Sequence, residues 1–399
     1  MAGSRALLML IAGGAMVSLM TLGLRNGFGL FLEPMSSTYG WGREVFALAI
    51  ALQNVIWGLG QPFAGALADR YGAFRVLLLG GLLYVLGIAL MSTVTSPLHL
   101  HLTAGVMIGL GTAGASFTVV LAAIGRLLPA AQRGWAFGLI TAAGSLGQFL
   151  LAPIGQALIE AYGWSTALLW LALMAIAVVP MALAFRADRP AAQPIPGESL
   201  SRSLGAATGS VDYWCLLSGF FVCGFHVALI QTHLPAALAD AGLSKAIAAW
   251  ALALIGLFNV VGAYAAGPLG ERVRKKWLLS AIYGSRAVVL AGFVLLPVTT
   301  ESALVFSAAM GLLWLSTVPP TSGLVAHLFG PRYLATLFGI VFLSHQVGAF
   351  LGAWLGGVLY DRYGTYEPAW WMAAALGVFA AIVNLPIREP APSANEVRA

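Results

Sequence analysis

The stretch FGLITAAGSLGQFLLAPIGQALIEAYG, Phe137 to Gly163, recurs as FGIVFLSHQVGAFLGAWLGGVLYDRYG, Phe338 to Gly364. Each copy is apolar, rich in glycine and long enough to cross a ~30 Å hydrocarbon layer as a helix, which takes about 20 residues. The copies lie 201 residues apart (338 − 137), and other positions keep that offset or one residue more. Gly23 and Pro34 return as Gly224 and Pro235, while Gly65 and Arg70 return as Gly267 and Arg272. A repeat this long, carrying its glycines with it, is a duplicated multi-helix unit rather than a solenoid.

Composition extends the reading to the whole chain. Sixty per cent of the 399 residues are hydrophobic and 9% are charged. Apolar stretches predict spans at 6–32, 45–67, 76–95, 99–125, 134–159, 165–185, 212–234, 246–268, 277–297, 302–327, 334–359 and 368–387. The first is longer than a signal-peptide core and has no small-residue cleavage site before the next, so it reads as mature helix. One long polar connection, Ala187 to Ser210, is rich in Pro, Gly and Ser and splits the spans six and six. The predicted architecture is an all-α membrane protein: twelve transmembrane helices in two pseudo-symmetric six-helix bundles around a central cavity. The bundles are residues 1–186 and 212–399, joined by a cytoplasmic linker at 187–211. Glycines cluster in the spans, as at Gly144, Gly147, Gly348, Gly352 and Gly356, and small residues four apart let helix backbones approach closely.

The net charge of +6 does not mark a nucleic-acid partner, because its distribution follows the membrane. With the N-terminus inside, fifteen of the twenty Lys/Arg fall on the inner side and only Arg43, Lys245 and Arg362 on the outer. This positive-inside bias places both termini in the cytoplasm. Cys215 and Cys223 share one span, too far apart along it to bridge, and read as buried structural thiols. No metal spacing and no cofactor motif is present, and a monomer embedded in the lipid bilayer is expected.

GALADRYGAFR, Gly65 to Arg75, resembles the loop signature between the second and third helices of the major facilitator superfamily, and GPLGERVRKK, from Gly267, is its degenerate copy. NGFGLFLEPM, YGWGR, RGWAFGL, AYGW, YGSR and VPPTSGLVAHLFG together resemble the bacterial branch of the monocarboxylate transporter family, which includes oxalate/formate exchangers. The resemblance covers almost the whole chain. It implies a secondary transporter of small organic anions by alternating access in a bacterial inner membrane, with proton symport or exchange for a counter-anion. It also implies gating roles for Asp69, Arg70, Arg75, Glu271 and Arg272, the acids capping helix ends or pairing with arginine on the neighbouring bundle. The family's usual eighth-helix pattern is asparagine, then glycine followed by arginine. Here Asn259 is followed by Gly262 and Ala263, so the arginine expected to hold a substrate carboxylate is missing.

Two arginines remain inside spans. Arg25 lies seven residues before Leu32, and Arg286 nine residues beyond Trp277. Neither can deprotonate in practice, and every Asp and Glu falls in a loop or at a span end. Two buried cations without a buried anion imply that the anion arrives as cargo, with Arg25 as the first choice of carboxylate clamp; the competing reading has both arginines bonded to backbone carbonyls. The remaining substrate-binding candidates are Asn26, Asn54, Gln148, His226, Asn259 and Gln346. His226 stands at the repeat-related place of Arg25, and His226, His233 and His345 are the proton-coupling candidates because they titrate near neutral pH.

Two other functions compete. Proton-driven efflux of lipophilic drugs would want a glycine run ending in Gly-Pro in the fifth helix, yet Ala152 precedes Pro153, and it would want an acid inside the first or fourth span. A membrane enzyme would need paired acids, a metal set or a nucleophile with its base. No phosphate-cradling Gly-Lys-Ser/Thr loop is present for a nucleotide-driven pump.

Overall fold

A chain in hydrocarbon has to satisfy its backbone polar groups within its own helices. The computed structural model describes residues 2–128, 130–188, 200–330 and 333–389, and these contain helices and no strand. Among the described residues ten helices are long and apolar enough to cross a membrane. They are α1 (Leu8–Tyr39), α2 (Arg43–Tyr71), α3 (Ala73–Met91), α4 (Pro97–Leu127), Trp135–Phe185, α7 (Val211–Asp240), α8 (Lys245–Arg272), α9 (Lys275–Leu295), α10 (Thr300–Phe329) and α11 (Thr336–Tyr363). The 51-residue Trp135–Phe185 breaks at Gly163, whose φ of 79° lies in the left-handed region open to glycine, and so divides into α5 (135–162) and α6 (164–185). With the shorter apolar α12 (Glu367–Val383), the twelve expected spans are present. Gly364, the repeat partner of Gly163, ends α11 at φ 71°.

One expectation needs correction. The first span runs to Tyr39 through a 3-10 turn at Phe28–Phe31, seven residues beyond the sequence boundary at Leu32. Within the polar connection Leu200–Thr208 forms a short helix, and residues 189–199 lie outside the described residues.

The duplicated glycines act in pairs. A Cβ on Gly23 of α1 would meet the backbone of Gly147 on α5, and one on Gly147 would meet Leu19. A Cβ on Gly224 of α7 would meet the His345 carbonyl on α11, and one on Gly348 would meet Phe221. The α1–α5 and α7–α11 crossings are therefore the same contact made twice. Contacts join the first six helices among themselves and the last six likewise. The two sets meet where α2 crosses α11, α5 crosses α8, and the turn after Arg25 touches α7.

Among the described residues four spans are discontinuous. α1 changes to a 3-10 turn after Gly27, α4 breaks at Ala115–Ser116, α6 breaks at Ile176–Ala177, and α10 breaks between Leu313 and Val318. The breaks in α4 and α10 are related by the repeat offset. Carbonyls freed at such breaks need donors, which places polar side chains at membrane depth.

Gly224→Leu is expected to lower the thermal unfolding temperature of the detergent-solubilised protein by overpacking the crossing, at a cost of about 1–3 kcal/mol. Gly138→Ala, where nothing lies within 4 Å of the added Cβ, is expected to leave it unchanged or slightly raised. Equal behaviour of the two variants would remove the crossing from the account.

Candidate functional site

Arg25 lies in the last turn of the first segment of α1, which ends at Asn26, and the chain leaves the α-helix at Gly27. Fourteen residues separate Arg25 from Tyr39, or about 20 Å at 1.5 Å each, so the guanidinium sits near the middle of its span, deeper than the sequence boundary implied. Arg25 donates through Nη2 to Oδ1 of Asn54 on α2, and through Nη1 to Oδ1 of Asn26 at 3.4 Å. Asn54 Nδ2 donates to the Ile50 carbonyl at 2.8 Å, which turns its oxygen toward the arginine. Asn26 Nδ2 donates to Gln148 Oε1 on α5 at 2.9 Å, and Gln148 Nε2 donates to the Leu252 carbonyl on α8 at 2.8 Å. One polar relay thus runs from α1 through α5 into the second set of helices.

The guanidinium also lies 4.8 Å over the Trp57 ring. Trp57 donates to Gln61 at 3.0 Å and meets Phe342 of α11 edge-on at 5.4 Å. Among the described residues Arg25 has no carboxylate partner, and its Nε is sealed from solvent without any hydrogen bond. Gln53 Oε1 and Gln346 Nε2 are likewise buried and unpartnered. A cavity of about 10 Å³ remains between Arg25, Phe28, Gly29, Gln53 and Asn54 of the first set and Gln231 and Thr232 of α7, room for about one water-sized group. Gln53, Trp57, Gln231, Thr232 and Phe342 were not among the predicted site residues. The signal for Gln231 and Thr232 was two adjacent polar residues inside an apolar span.

The other candidates divide. Asn26, Asn54 and Gln148 join Arg25 directly. Gln346 packs against Gly58, next to Trp57, and accepts from His345 Nδ1 at 3.0 Å. Asn259 bridges the sets at the next level, donating to Ser145 of α5 at 2.8 Å and accepting from the Leu315 amide at the α10 break at 3.0 Å. Arg286 is turned away from this group, because Nε and Nη2 donate to the Leu313 carbonyl at 3.1 and 2.6 Å and Nη2 also reaches that of Trp314, capping the carbonyl end of the broken α10. His226 does not face Arg25: its Nε2 donates to the Ala373 carbonyl of α12 at 2.8 Å. His233 donates to the Ala353 carbonyl at 2.7 Å and lies 3.2 Å from the Tyr366 hydroxyl. His345 stacks on Phe342, their rings 5.8 Å apart.

Ion pairing differs between the two ends. At the end bearing Arg75 and Lys276, the ion pairs among the described residues stay within one set. Arg126 holds Asp69 at 2.8 Å and Asp188 at 2.7 Å, and the Asp188 carboxylate caps the Ala73 amide that starts α3. Glu389, 201 residues on, caps the Lys276 amide at the start of α9 in the same way. Asp69 therefore pairs inside its own bundle rather than across to the other, while Arg70, Arg75, Glu271 and Arg272 are exposed.

The opposite end carries the bridges between sets. Arg43 forms a two-pronged pair with Asp240 at 2.6 and 2.7 Å and lies 3.7 Å over Tyr360. The Asp361 carboxylate of α11 accepts from the Arg43 and Glu44 amides at 2.9 and 2.8 Å, putting a negative charge on the positive end of α2. Gly42 permits the approach, since a Cβ there would lie 2.5 Å from Asp361 Oδ2. Trp354 donates to Glu44 at 3.0 Å, and Lys245 pairs with Glu33 at 2.8 Å. Arg43 also donates to the Tyr366 hydroxyl at 2.9 Å; burial, opposed by the Arg43 charge, holds that phenol above its ordinary pKa, so it stays protonated. These residues latch the Arg43 end shut.

The family model described as Major Facilitator Superfamily matches residues 11–317. The chain is 27% identical over 398 residues to monocarboxylate transporter 13 of Bos taurus, covering 95% of this chain and 89% of the relative. It is 25% identical over 361 residues to an uncharacterised MFS-type transporter, YcxA, of Bacillus subtilis (strain 168), covering 84% of each. Its fold matches a bacterial homologue of the human lysosomal transporter Spinster with a TM-score of 0.75 at 14% identity, over 96% of this chain and 98% of that one. The nucleoside transporter NupG matches with a TM-score of 0.77 at 13% identity, over 95% and 100%.

Replacing both Asp240 and Asp361 by Asn is expected to open the Arg43 end, because charge-assisted hydrogen bonds of this kind contribute about 1.5–3 kcal/mol each. Spin labels at the exposed Ser37 and Ala241 read the outcome as a new, longer distance population. An unchanged distance distribution would remove the latch.

Proposed function

Since the chain belongs to the Major Facilitator Superfamily and is thus a multi-pass membrane transporter, we propose that its cargo is a small organic monocarboxylate, held by Arg25 and moved by alternating access. The observation that carries this reading is the mid-span guanidinium with an unpartnered, buried Nε and no carboxylate among the described residues. A planar carboxylate offers such a fork two acceptor oxygens. Among the described residues Arg25 is the one cation that lines the cavity, Arg286 being engaged at the α10 break, and this favours a cargo of single negative charge. The similarity to proteins named monocarboxylate transporters supports the same class.

Residues 1–186 and 212–399 act as the two rocking bundles, hinged where α2 crosses α11 and α5 crosses α8. We read the Arg75 end, with both termini, as the cytoplasmic side of a bacterial inner membrane, and the excess of Lys and Arg there supports this orientation. The latched Arg43 end then faces outward, so the arrangement is closed to the outside. Coupling by exchange fits the site better than proton symport. An arginine keeps its charge, so an empty carrier has to move a bare cation through the membrane, whereas a carrier loaded in both directions moves a neutral pair. The three histidines suited to carrying a proton are tied to carbonyls, a phenol or Gln346.

Arg25→Ala is expected to reduce uptake of labelled lactate, acetate and formate into proteoliposomes by about 100-fold, the equivalent of ~2.7 kcal/mol. Arg25→Lys keeps the charge but not the fork and retains part of the rate. Uptake is expected to require an internal carboxylate. Full activity in a folded Arg25→Ala protein contradicts the clamp, and uptake into empty vesicles driven by a pH step alone contradicts exchange.

A further inference from the structure

A cavity of about 360 Å³ opens at the Arg43 end beside the latch, within the usual range for a small-molecule site of roughly 300–1,000 Å³. Its walls include the aromatic rings of Phe293, Tyr360, Tyr366 and Trp370 and the carboxylates of Asp240 and Glu367, and among the described residues no basic one lines it. Phe293 and Trp370 meet edge-on at 5.6 Å, and Tyr360 and Tyr366 lie 4.6 Å apart, so the rings form a connected wall. The same wall already receives a cation, since the Arg43 guanidinium lies over Tyr360 at 3.7 Å and 5.3 Å from Tyr366. Asp240 keeps about a third of its side chain exposed while paired with Arg43, and Glu367 is exposed. Aromatic faces closing on a space with two acids at its rim select a cation with an apolar coat, because the ring quadrupole attracts positive charge and the ring area buries the alkyl groups.

We propose that this cavity binds an organic ammonium group, carried by a free quaternary ammonium ion such as choline or by a lipid headgroup. The ligand would sit against Trp370 and Tyr366 with Glu367 as its counter-charge, since both Asp240 oxygens are engaged by Arg43. Because the wall is assembled by the contacts of Arg43 with Asp240, Tyr360 and Tyr366, bound ammonium favours the latched arrangement of this end over any in which those residues separate. The site is separate from Arg25 and takes the opposite charge, so it regulates the cycle without competing with cargo.

The test is thermal unfolding of the purified full-length protein, read with choline chloride against sodium chloride at matched ionic strength, in detergent without added lipid. The same measurement is made in vesicles of phosphatidylcholine against phosphatidylglycerol. A Tm that rises with choline concentration and not with sodium supports a free ammonium ligand, and a rise confined to phosphatidylcholine vesicles supports the headgroup as its source. Glu367→Gln, which changes an exposed residue outside the latch, is expected to weaken the effect by about tenfold and to leave the ligand-free Tm unchanged. Coincident choline and sodium curves together with no dependence on lipid headgroup would overturn the proposal. So would a Glu367→Gln protein that responds as the parent does.

Discussion

A guanidinium that cannot lose its proton, held near mid-membrane without a carboxylate, is the constraint around which the rest of the molecule is arranged. Its charge is spread over amide oxygens and a tryptophan face, which are weaker partners than an anion. The break in α1 directly after Arg25 brings the chain against α7, so that the cation lies at a seam between the two sets of helices. The relay through Asn26 and Gln148 to the Leu252 carbonyl then ties that seam to the contact between α5 and α8.

The two ends of the molecule balance this centre differently. At the Arg75 end, Asp188 and Glu389 cap the third helix of each repeat and the ion pairs are internal to each set, so each is braced alone. At the Arg43 end, Asp240 and Asp361 reach across to α2. Braced bodies joined by a few charge-assisted bonds at one end can part there without losing their internal packing, which is what alternating exposure of a central site requires.

Much of this was legible in the sequence because membrane helices announce themselves by length and hydropathy, and because duplication repeats its glycines. Gly23, Gly147, Gly224 and Gly348 were visible as a pattern, and the structure gives that pattern a contact. Arg25 with Asn26, Asn54 and Gln148 could be gathered from polarity alone. The direction a polar group faces could not: Arg286 and His226 lie in apolar spans like Arg25, but one caps the broken α10 and the other bonds α12. That break carries no strong breaker at Trp314 itself, and the depth of Arg25 was misjudged because Glu33 and Pro34 resemble a helix end yet sit inside a span that continues to Tyr39. The acids that cap α3 and α9 were available as the repeat pair Asp188 and Glu389, but hidden because both fall beyond the last apolar residue of their bundles.

The most direct measurement is uptake of labelled lactate and acetate by proteoliposomes carrying Asn54→Asp, in which Arg25 faces a permanent carboxylate at the position of its present amide partner. With the site neutralised from within, a folded and stable protein that no longer takes up carboxylate is the predicted result. Uptake at the parent rate would mean that Arg25 does not meet the cargo.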